Sequence, residues 1–359
     1  MMLGIAGGGQ LGRMMILEGR PLDVKFSVID STRDSPAGRI ADRSFSYDQY
    51  REFVDSCDAV TFEFEHVDGR ALSYASDSGK LMPNLLSVEL KRDRSREKSF
   101  LSDHGLPTAP FEVAETGEEA LQIARRKRNA VIKQTTEGYD GKGQYVFRDG
   151  IGPERIPDSR YIVEDLVNYD FECSIIIARD KAGRIVSFPP SYNLNTRGML
   201  LLNRSPIGDY GMNEVAARLV RSLDYVGVMG VEFFVVDGKC LINEFAPRVH
   251  NSGHHTLLGF SMSQFELHVR TVLGLPSPKP VQYRSSGIVN LIGKQLDAES
   301  MSRILSLGET RIYWYGKDGV RNRRKLGHVN IGAQSVEELE EIQQSVISIF
   351  YDGNPSAYM

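Results

Sequence analysis

The stretch that most constrains the fold is Val231-Glu232-Phe233-Phe234-Val235-Val236-Asp237-Gly238-Lys239-Cys240-Leu241-Ile242-Asn243-Glu244, two strongly apolar runs around an Asp-Gly pair. That is the pattern of a β-hairpin. Carboxylates in strands this apolar are costly to bury unless something positive meets them. Register then decides what they can do. A two-residue Asp237-Gly238 turn pairs Val236 with Lys239 and puts Glu232 and Glu244 on opposite faces, whereas a three-residue loop with a glycine bulge pairs Val236 with Cys240 and sets Glu232 across from Glu244. Two carboxylates and Asn243 on one face, completed by phosphate oxygens, are the hard ligands that magnesium prefers; the plain alternative is one glutamate inward and one in a surface ion pair. The polar run from Ala246 to His255 favours the metal, because Arg248, His250 and Asn251 suit a small anion beside the terminal phosphate of a nucleotide. With no nearby cysteine and no HExxH pattern, His250 and His254 argue less well for zinc.

Upstream, residues 2 to about 90 alternate short apolar runs (Leu3-Ile5, Phe26-Ile29, Ala59-Glu65) with helical or turn-rich stretches, the rhythm of a parallel sheet with crossover helices. Gly7-Gly8-Gly9-Gln10-Leu11-Gly12 fits G-x-G-x-x-G, and Asp30 ends the next strand where an acidic residue would meet a ribose, so these residues alone suggest a nicotinamide enzyme. Glu89 to His104 reads as one amphipathic helix closed by Gly105-Leu106-Pro107, with a domain boundary nearby. Strands at Ala130-Lys133, Gln144-Phe147 and Tyr161-Glu164 then suggest a small α+β unit. Longer strands follow from Cys173, helices are expected over about 213–223 and 336–350, and there is no internal repeat.

Between two of those strands lies Lys133-Gln134-Thr135-Thr136-Glu137-Gly138-Tyr139-Asp140-Gly141-Lys142-Gly143-Gln144, whose glycines let backbone approach a ligand while two lysines bring positive charge. It suits a phosphate chain, though a solvated hairpin tip has the same composition, and no Ser or Thr follows the lysine as a Walker motif requires. The basic run Lys317 to Lys325 is either a solvated loop or a seat for a phosphate monoester. A net charge of -4 argues against general affinity for nucleic acid, and three scattered cysteines suggest neither disulfides nor a zinc knuckle but a reducing compartment. Met1 to Ala6 reads as a strand rather than a signal peptide, and no stretch approaches the length of a membrane span. The 359 residues, 41% hydrophobic, are enough for two or three domains with cores of their own.

In order and spacing, GGGQLGRMM, TFEFEHV, LPTAPF, EGYDGKGQ, VGVMGVEFF, NEFAPRVHNSGHHT, SMSQFELHVR and RRKLGHVNI resemble the ATP-grasp superfamily and, more closely, its N5-carboxyaminoimidazole ribonucleotide synthase family. The resemblance covers nearly the whole chain. It implies a mixed α/β and α+β ATP-grasp fold, with a Rossmann-like domain over 1–97, a small lid domain over 98–166, and a large domain with a C-terminal substrate-binding region over 167–359. The glycine turn would then serve the substrate rather than a nicotinamide, the helix starting near Gln10 offering free amides and a positive dipole end to an anion. The implied reaction uses ATP, Mg²⁺ and bicarbonate to carboxylate 5-aminoimidazole ribonucleotide through carboxyphosphate, in a cytoplasmic homodimer that needs neither nucleic acid nor membrane.

Carried over by position, Arg94 and Lys133 would contact ATP phosphates, with Gly138, Tyr139, Asp140, Gly141, Lys142, Gly143 and Gln144 closing over them. Glu164, Asp165, Leu166 and Val167 would meet adenine and Glu172 the ribose hydroxyls. Glu232 and Glu244 would ligate Mg²⁺ with help from Asn243. Gln10, Glu65, Lys317 and Arg324, together with Tyr139, Asp140 and Lys142, would hold the ribonucleotide; Arg248, His250 and Asn251 would surround bicarbonate or carboxyphosphate. Asp140 is the expected acceptor of the amine proton. Asn195 stands where relatives usually carry a histidine, and since asparagine cannot carry a proton at neutral pH, no site residue is assigned between Pro190 and Leu200. The rival readings are a formate-dependent glycinamide ribonucleotide transformylase, a nicotinamide oxidoreductase and a silent nucleotide-binding module.

Overall fold

The structure of the chain, a computed structural model, describes residues 1–136 and 143–359. Among them the strands form three sheets. The first is parallel, with Met2–Ala6 between Lys25–Ile29 and Ala59–Phe62, and Arg43–Phe45 outside Lys25–Ile29. Leu3, Ile5, Phe26, Val28, Val60 and Phe62 are all buried, as parallel strands covered on both faces must be. Met14, Met15 and Ile16 of the helix Gln10–Gly19 share one core with Phe265 and Val269 of the distant helix Gln264–Leu273. Phe53, Leu72 and Val88 belong to a second core of this part of the chain.

The four glycine amides of the turn are taken up within the chain, Gly7 by the Ile29 carbonyl and the others by carboxylates. The Glu63 carboxylate, just beyond Ala59–Phe62, accepts from the amides of Gly9 and of Gly12, the latter at 2.9 Å, while Asp30 accepts from Gly8 at 2.6 Å. A Cβ on Gly9 would lie 2.4 Å from Glu63 Oε1, so glycine there admits the chain's own carboxylate. Glu63 thus occupies part of the anion seat expected at the helix near Gln10, on the side where a dinucleotide pyrophosphate would sit. Burial pushes the Glu63 carboxyl upward, and the two amides oppose that. Glu63→Ala should therefore lower stability by about 1–3 kcal/mol, the cost of unpaired buried amides. Calorimetry checks this, and an unchanged melting temperature would contradict it.

The helix expected over Glu89 to His104 is two helices, Leu85–Arg92 and Arg94–Asp103. Asp93 between them is extended, and its carboxylate caps the second by accepting from the amides of Ser95 and Arg96 at 2.7 and 3.2 Å. Next comes a small antiparallel sheet in the order Phe111–Ala114, Tyr161–Asp165, Ala130–Gln134, Gln144–Phe147, backed by Gly117–Lys127.

The large antiparallel sheet has nine strands. Lys239–Ala246 lies at its edge beside Gly227–Val236, and the sheet continues through Phe171–Arg179, Ser191–Thr196 and Met199–Ser205 to Ser285–Ile292, Lys325–Ala333 and Thr310–Trp314. The hairpin combines features of both expected registers. Its turn is the two-residue one, with Asp237 and Gly238 at φ 48° and 74° and Val236 opposite Lys239. A register shift between Glu232 and Phe233 then leaves Asn243 as the extra residue, so Phe233 faces Ile242 and Glu232 faces Glu244. The two glutamates meet because of an irregularity inside the strands rather than at the turn.

Candidate active site

A cleft of about 1690 Å³ is lined by strands of the small and large sheets and by the loops that follow strands of the first. On its walls are Gln10, Glu65, Arg94, Lys133, Gln144, Glu164, Asp165, Leu166, Val167, Glu172, Glu232, Asn243, Glu244, Arg248, His250, Asn251, Lys317 and Arg324. Gly143 does not line it. That residue has φ +69° and its carbonyl accepts from the Gln134 amide at 3.0 Å. The expected Gly138, Tyr139, Asp140, Gly141 and Lys142 lie outside the described residues.

At the floor, Glu232 and Glu244 face each other across the hairpin. Burial, then the neighbouring charges of Glu244 and Glu172, pushes Glu232 up to about 8. Burial pushes Glu244 in the same direction, but the Lys91 ammonium, 2.6 Å from its Oε2, outweighs this and holds it well below the ordinary range. Two carboxylates set opposite each other on one hairpin are hard oxygen donors of the kind a divalent cation takes. The donor set fits magnesium: two carboxylates with the Asn243 amide oxygen beside them. Among the described residues no three acidic, histidine or cysteine side chains form a metal cage, so the remaining ligands must come from elsewhere, as phosphate oxygens do in nucleotide sites.

Above the pair, Glu164 sits between two lysines, with Lys98 Nζ 2.7 Å from Oε1 and Lys133 Nζ on Oε2. Glu164 and Lys98 side chains are each only 4% exposed. Burial raises the Glu164 carboxyl, and the two ammonium groups overcome it and bring it down to about 2. Lys133 also reaches Asn243 Oδ1 at 3.5 Å, which links the small sheet to the hairpin. Arg94 opens the second helix and donates to the Gln134 carbonyl at 2.8 Å, while its own amide binds the Thr135 carbonyl. In the expected adenine segment, the Asp165 and Leu166 amides are held by the carbonyls of Pro110 and Asn129, at 2.9 and 3.1 Å.

The polar segment after the hairpin is fixed from several sides. Arg248 Nε pairs with the buried Glu65 at 3.0 Å, and Arg92 holds the Glu65 carbonyl at 2.7 Å. Gln264 clasps the His250 backbone, accepting from its amide at 2.9 Å and donating to its carbonyl at 2.6 Å. Burial, reinforced by the Arg248 charge, pushes the His250 imidazole down to about 3. It is therefore neutral at physiological pH, with Nδ1 2.9 Å from Ser252 Oγ and Nε2 3.5 Å from Glu232 Oε1. His250 can hydrogen-bond an anion here, and Arg248 supplies the charge. Gly230 makes room for this histidine, since a Cβ on it would meet His250 Cβ at 2.5 Å. Gly230→Ala should displace the imidazole and lower kcat by about tenfold while costing about 1–3 kcal/mol of stability. Steady-state kinetics beside a thermal melt checks this, and unchanged kcat would contradict it.

At the far end, Tyr169 stacks on Phe234 with ring centres 4.5 Å apart and donates to Glu172 Oε1 at 2.8 Å. Asn195 donates to the other Glu172 oxygen, so the unassigned stretch does supply a cleft residue, one that orients Glu172 without a proton to give. Lys317 donates to the Lys325 carbonyl at 2.9 Å and lies over the Tyr315 ring, while Arg324 binds the carbonyls of Asp318 and Gly319. Arg39 reaches from the first domain to the Gly316 carbonyl and to Asp318, at 2.9 and 3.1 Å, tying this basic loop to the glycine-turn side of the cleft.

Sequence reasoning missed Lys91, Glu97, Lys98 and Gln264; Lys91 and Glu97 pair only six residues apart, but Glu244, Phe245 and Glu164, the partners that tie the first three to the cleft, are remote in the chain. Lys98 and Glu97 gave one weak signal: with Ser95 and Leu101 they make the buried stripe of Arg94–Asp103.

Three family models match in chain order: the ribonucleotide synthetase preATP-grasp domain over residues 1–91, the ATP-grasp domain over 99–265, and the phosphoribosylaminoimidazole carboxylase C-terminal domain over 286–342. An N5-carboxyaminoimidazole ribonucleotide synthase of Saccharolobus solfataricus is 50% identical over 354 residues, covering 97% of this chain and 96% of its own. The chain belongs to the N5-carboxyaminoimidazole ribonucleotide synthase family. Among solved synthases of the family, the phosphoribosylaminoimidazole carboxylase ATPase subunit of Aquifex aeolicus superposes with a TM-score of 0.86 at 39% identity, covering 98% of this chain and all of the other. The N5-carboxyaminoimidazole synthase of Aspergillus clavatus, in complex with ADP and 5-aminoimidazole ribonucleotide, gives 0.86 at 26% identity over 98% of both chains. Membership in this synthase family confirms the expected ATP-grasp fold with its pre-ATP-grasp domain and removes the nicotinamide reading of the glycine turn. No helix among the described residues is long and apolar enough to cross a membrane.

Proposed function

We propose that the chain is an ATP-dependent ligase that carboxylates the exocyclic amine of 5-aminoimidazole ribonucleotide with bicarbonate, yielding N5-carboxyaminoimidazole ribonucleotide, ADP and phosphate in purine biosynthesis. The observation that carries this reading is the facing pair Glu232 and Glu244 in one cleft with Lys133, Arg94 and the Arg248–His250 segment. A magnesium ion held by Glu232 and Glu244, with Asn243, would neutralise charge on the phosphate chain. Arg94 and Lys133 bind the phosphates of ATP, and Glu164 keeps Lys133 aimed at them. A bicarbonate oxygen attacks the terminal phosphorus and ADP leaves. Arg248 balances the charge of the resulting carboxyphosphate, and neutral His250 and Asn251 hydrogen-bond it. The ribonucleotide amine then attacks the carboxyphosphate carbon, phosphate departs, and the amine proton passes to Asp140. Gly138, Tyr139, Gly141 and Lys142 keep the roles that the family resemblance gives them, with Gly143 and Gln144 beside them. Glu164 to Val167 receive adenine and Glu172 the ribose.

Gln10, Glu65, Lys317 and Arg324 bind the ribonucleotide, and Glu65 also aligns Arg248 beside the carboxyphosphate. Lys317→Ala should raise KM for the ribonucleotide about tenfold with little change in kcat, as expected for a contact equal in ground and transition states. A fall in ATP affinity alone would contradict it. In this reading the enzyme is a cytoplasmic homodimer, with its three buried free thiols in keeping with a reducing compartment. Coupled detection of ADP tests the function, with ribonucleotide and bicarbonate omitted in turn. Full turnover only with both is expected; formate-dependent turnover would overturn the reading.

A further inference from the structure

Lys91 is the last residue but one of the helix Leu85–Arg92, next to the break at Asp93, and its side chain is 15% exposed. Its ammonium is 2.6 Å from Glu244 Oε2 and 3.3 Å from Glu97 Oε2. Glu97 in turn accepts from the amide of Phe245 at 3.0 Å, so it is fixed to the strand that carries Glu244. Arg92, the next residue, holds the carbonyls of Glu65 and Val67 at 2.7 and 3.0 Å and anchors the helix end. The ammonium is thus built into the acidic floor of the cleft.

We infer that Lys91 is a resident counter-cation of the metal site, which neutralises Glu244 in the nucleotide-free protein and competes with free divalent ions for that carboxylate. The inference rests on the proposed metal role of Glu232 and Glu244. A divalent ion arriving alone must displace a close ammonium and shares its site with that positive charge. A nucleotide brings several negative oxygens, which both cations can share, and Lys91 retains Glu97 as a partner when it yields Glu244. Metal therefore enters with nucleotide, which limits occupation of the floor by ions unaccompanied by substrate.

The test is Mn²⁺ binding to the full-length, nucleotide-free protein, followed by the electron paramagnetic resonance signal of the free ion. Lys91→Met should bind Mn²⁺ about tenfold more tightly than wild type, whereas Lys91→Arg, which keeps the charge, should bind as weakly as wild type. Adding Glu232→Gln to Lys91→Met should abolish the gain. Equal Mn²⁺ affinity in Lys91→Met and wild type, or a gain that survives Glu232→Gln, overturns the inference. Should Lys91→Met not fold, Lys91→Gln carries the same comparison, and if neither folds the role is structural and the inference fails. Mn²⁺ binding in the presence of ADP separates the two layers. If Glu232→Gln alone leaves it unchanged, the metal assignment is wrong; if Glu232→Gln weakens it but Lys91→Met shows no gain, only the role of Lys91 is wrong.

Discussion

Glu244→Gln should abolish ADP formation while the protein stays folded. The amide keeps the volume of the carboxylate and removes the charge that would bind a divalent cation at the cleft floor. Lys91 retains Glu97 at 3.3 Å, so the substitution strands no buried charge and the fold has no reason to fail. The carboxylate does not itself transfer protons in this account. Its loss weakens the hold on the cation and hence the neutralisation of the phosphate chain during transfer, for which a fall of about 10³-fold in kcat/KM is expected. ADP release measured beside a thermal melt checks both halves. Near-normal turnover, or a collapse of the melt, would contradict the assignment.

The second large effect is on stability. Glu164 pairs with two lysines that come from different elements, Lys98 from the helix Arg94–Asp103 and Lys133 from the strand Ala130–Gln134. Glu164→Gln leaves two ammonium groups facing one neutral amide in a nearly closed space, and breaking a buried pair this way costs about 3–5 kcal/mol. Lys98→Met should cost less, because Glu164 keeps Lys133. The sign of the pH dependence follows from the depressed carboxyl. Its folded value of about 2 lies below the ordinary 4.5, so its stabilisation is complete above 4.5 and is lost as pH falls toward 2. Denaturant titration of the nucleotide-free protein should show the gap between wild type and Glu164→Gln narrowing over that interval. A gap below about 1 kcal/mol at neutral pH would place Glu164 outside the stabilising network.

What could be read from the chain follows from how local each feature is. Apolar strands cannot hide two carboxylates, so Glu232 and Glu244 stood out from the residues around them. A turn at Asp237 and Gly238, its length left open between two residues and three, was equally legible, because both tolerate positive φ. The shift at Asn243 was not, since nothing in the local pattern marks which residue a strand leaves over. Glu89 to His104 concealed its break because charge and apolar spacing stay helical on both sides of Asp93. Lys91, Glu97 and Lys98 were charges within the one amphipathic helix expected there, and they are buried where the hairpin and the small sheet bring Glu244 and Glu164 to them. The glycine turn shows the same limit in reverse. Its spacing was right for an anion, and the anion is Glu63, some fifty residues along the chain.

The central claim is that Glu232 and Glu244 share one divalent cation beneath the nucleotide. It is tested most directly by a crystal of the protein grown with ADP and Mn²⁺, with data collected at the manganese absorption edge. A single anomalous peak about 2.1–2.3 Å from a carboxylate oxygen of each glutamate is predicted, with a phosphate oxygen in the same shell. A nucleotide-bound cleft whose manganese touches only one of the two, or neither, would contradict it.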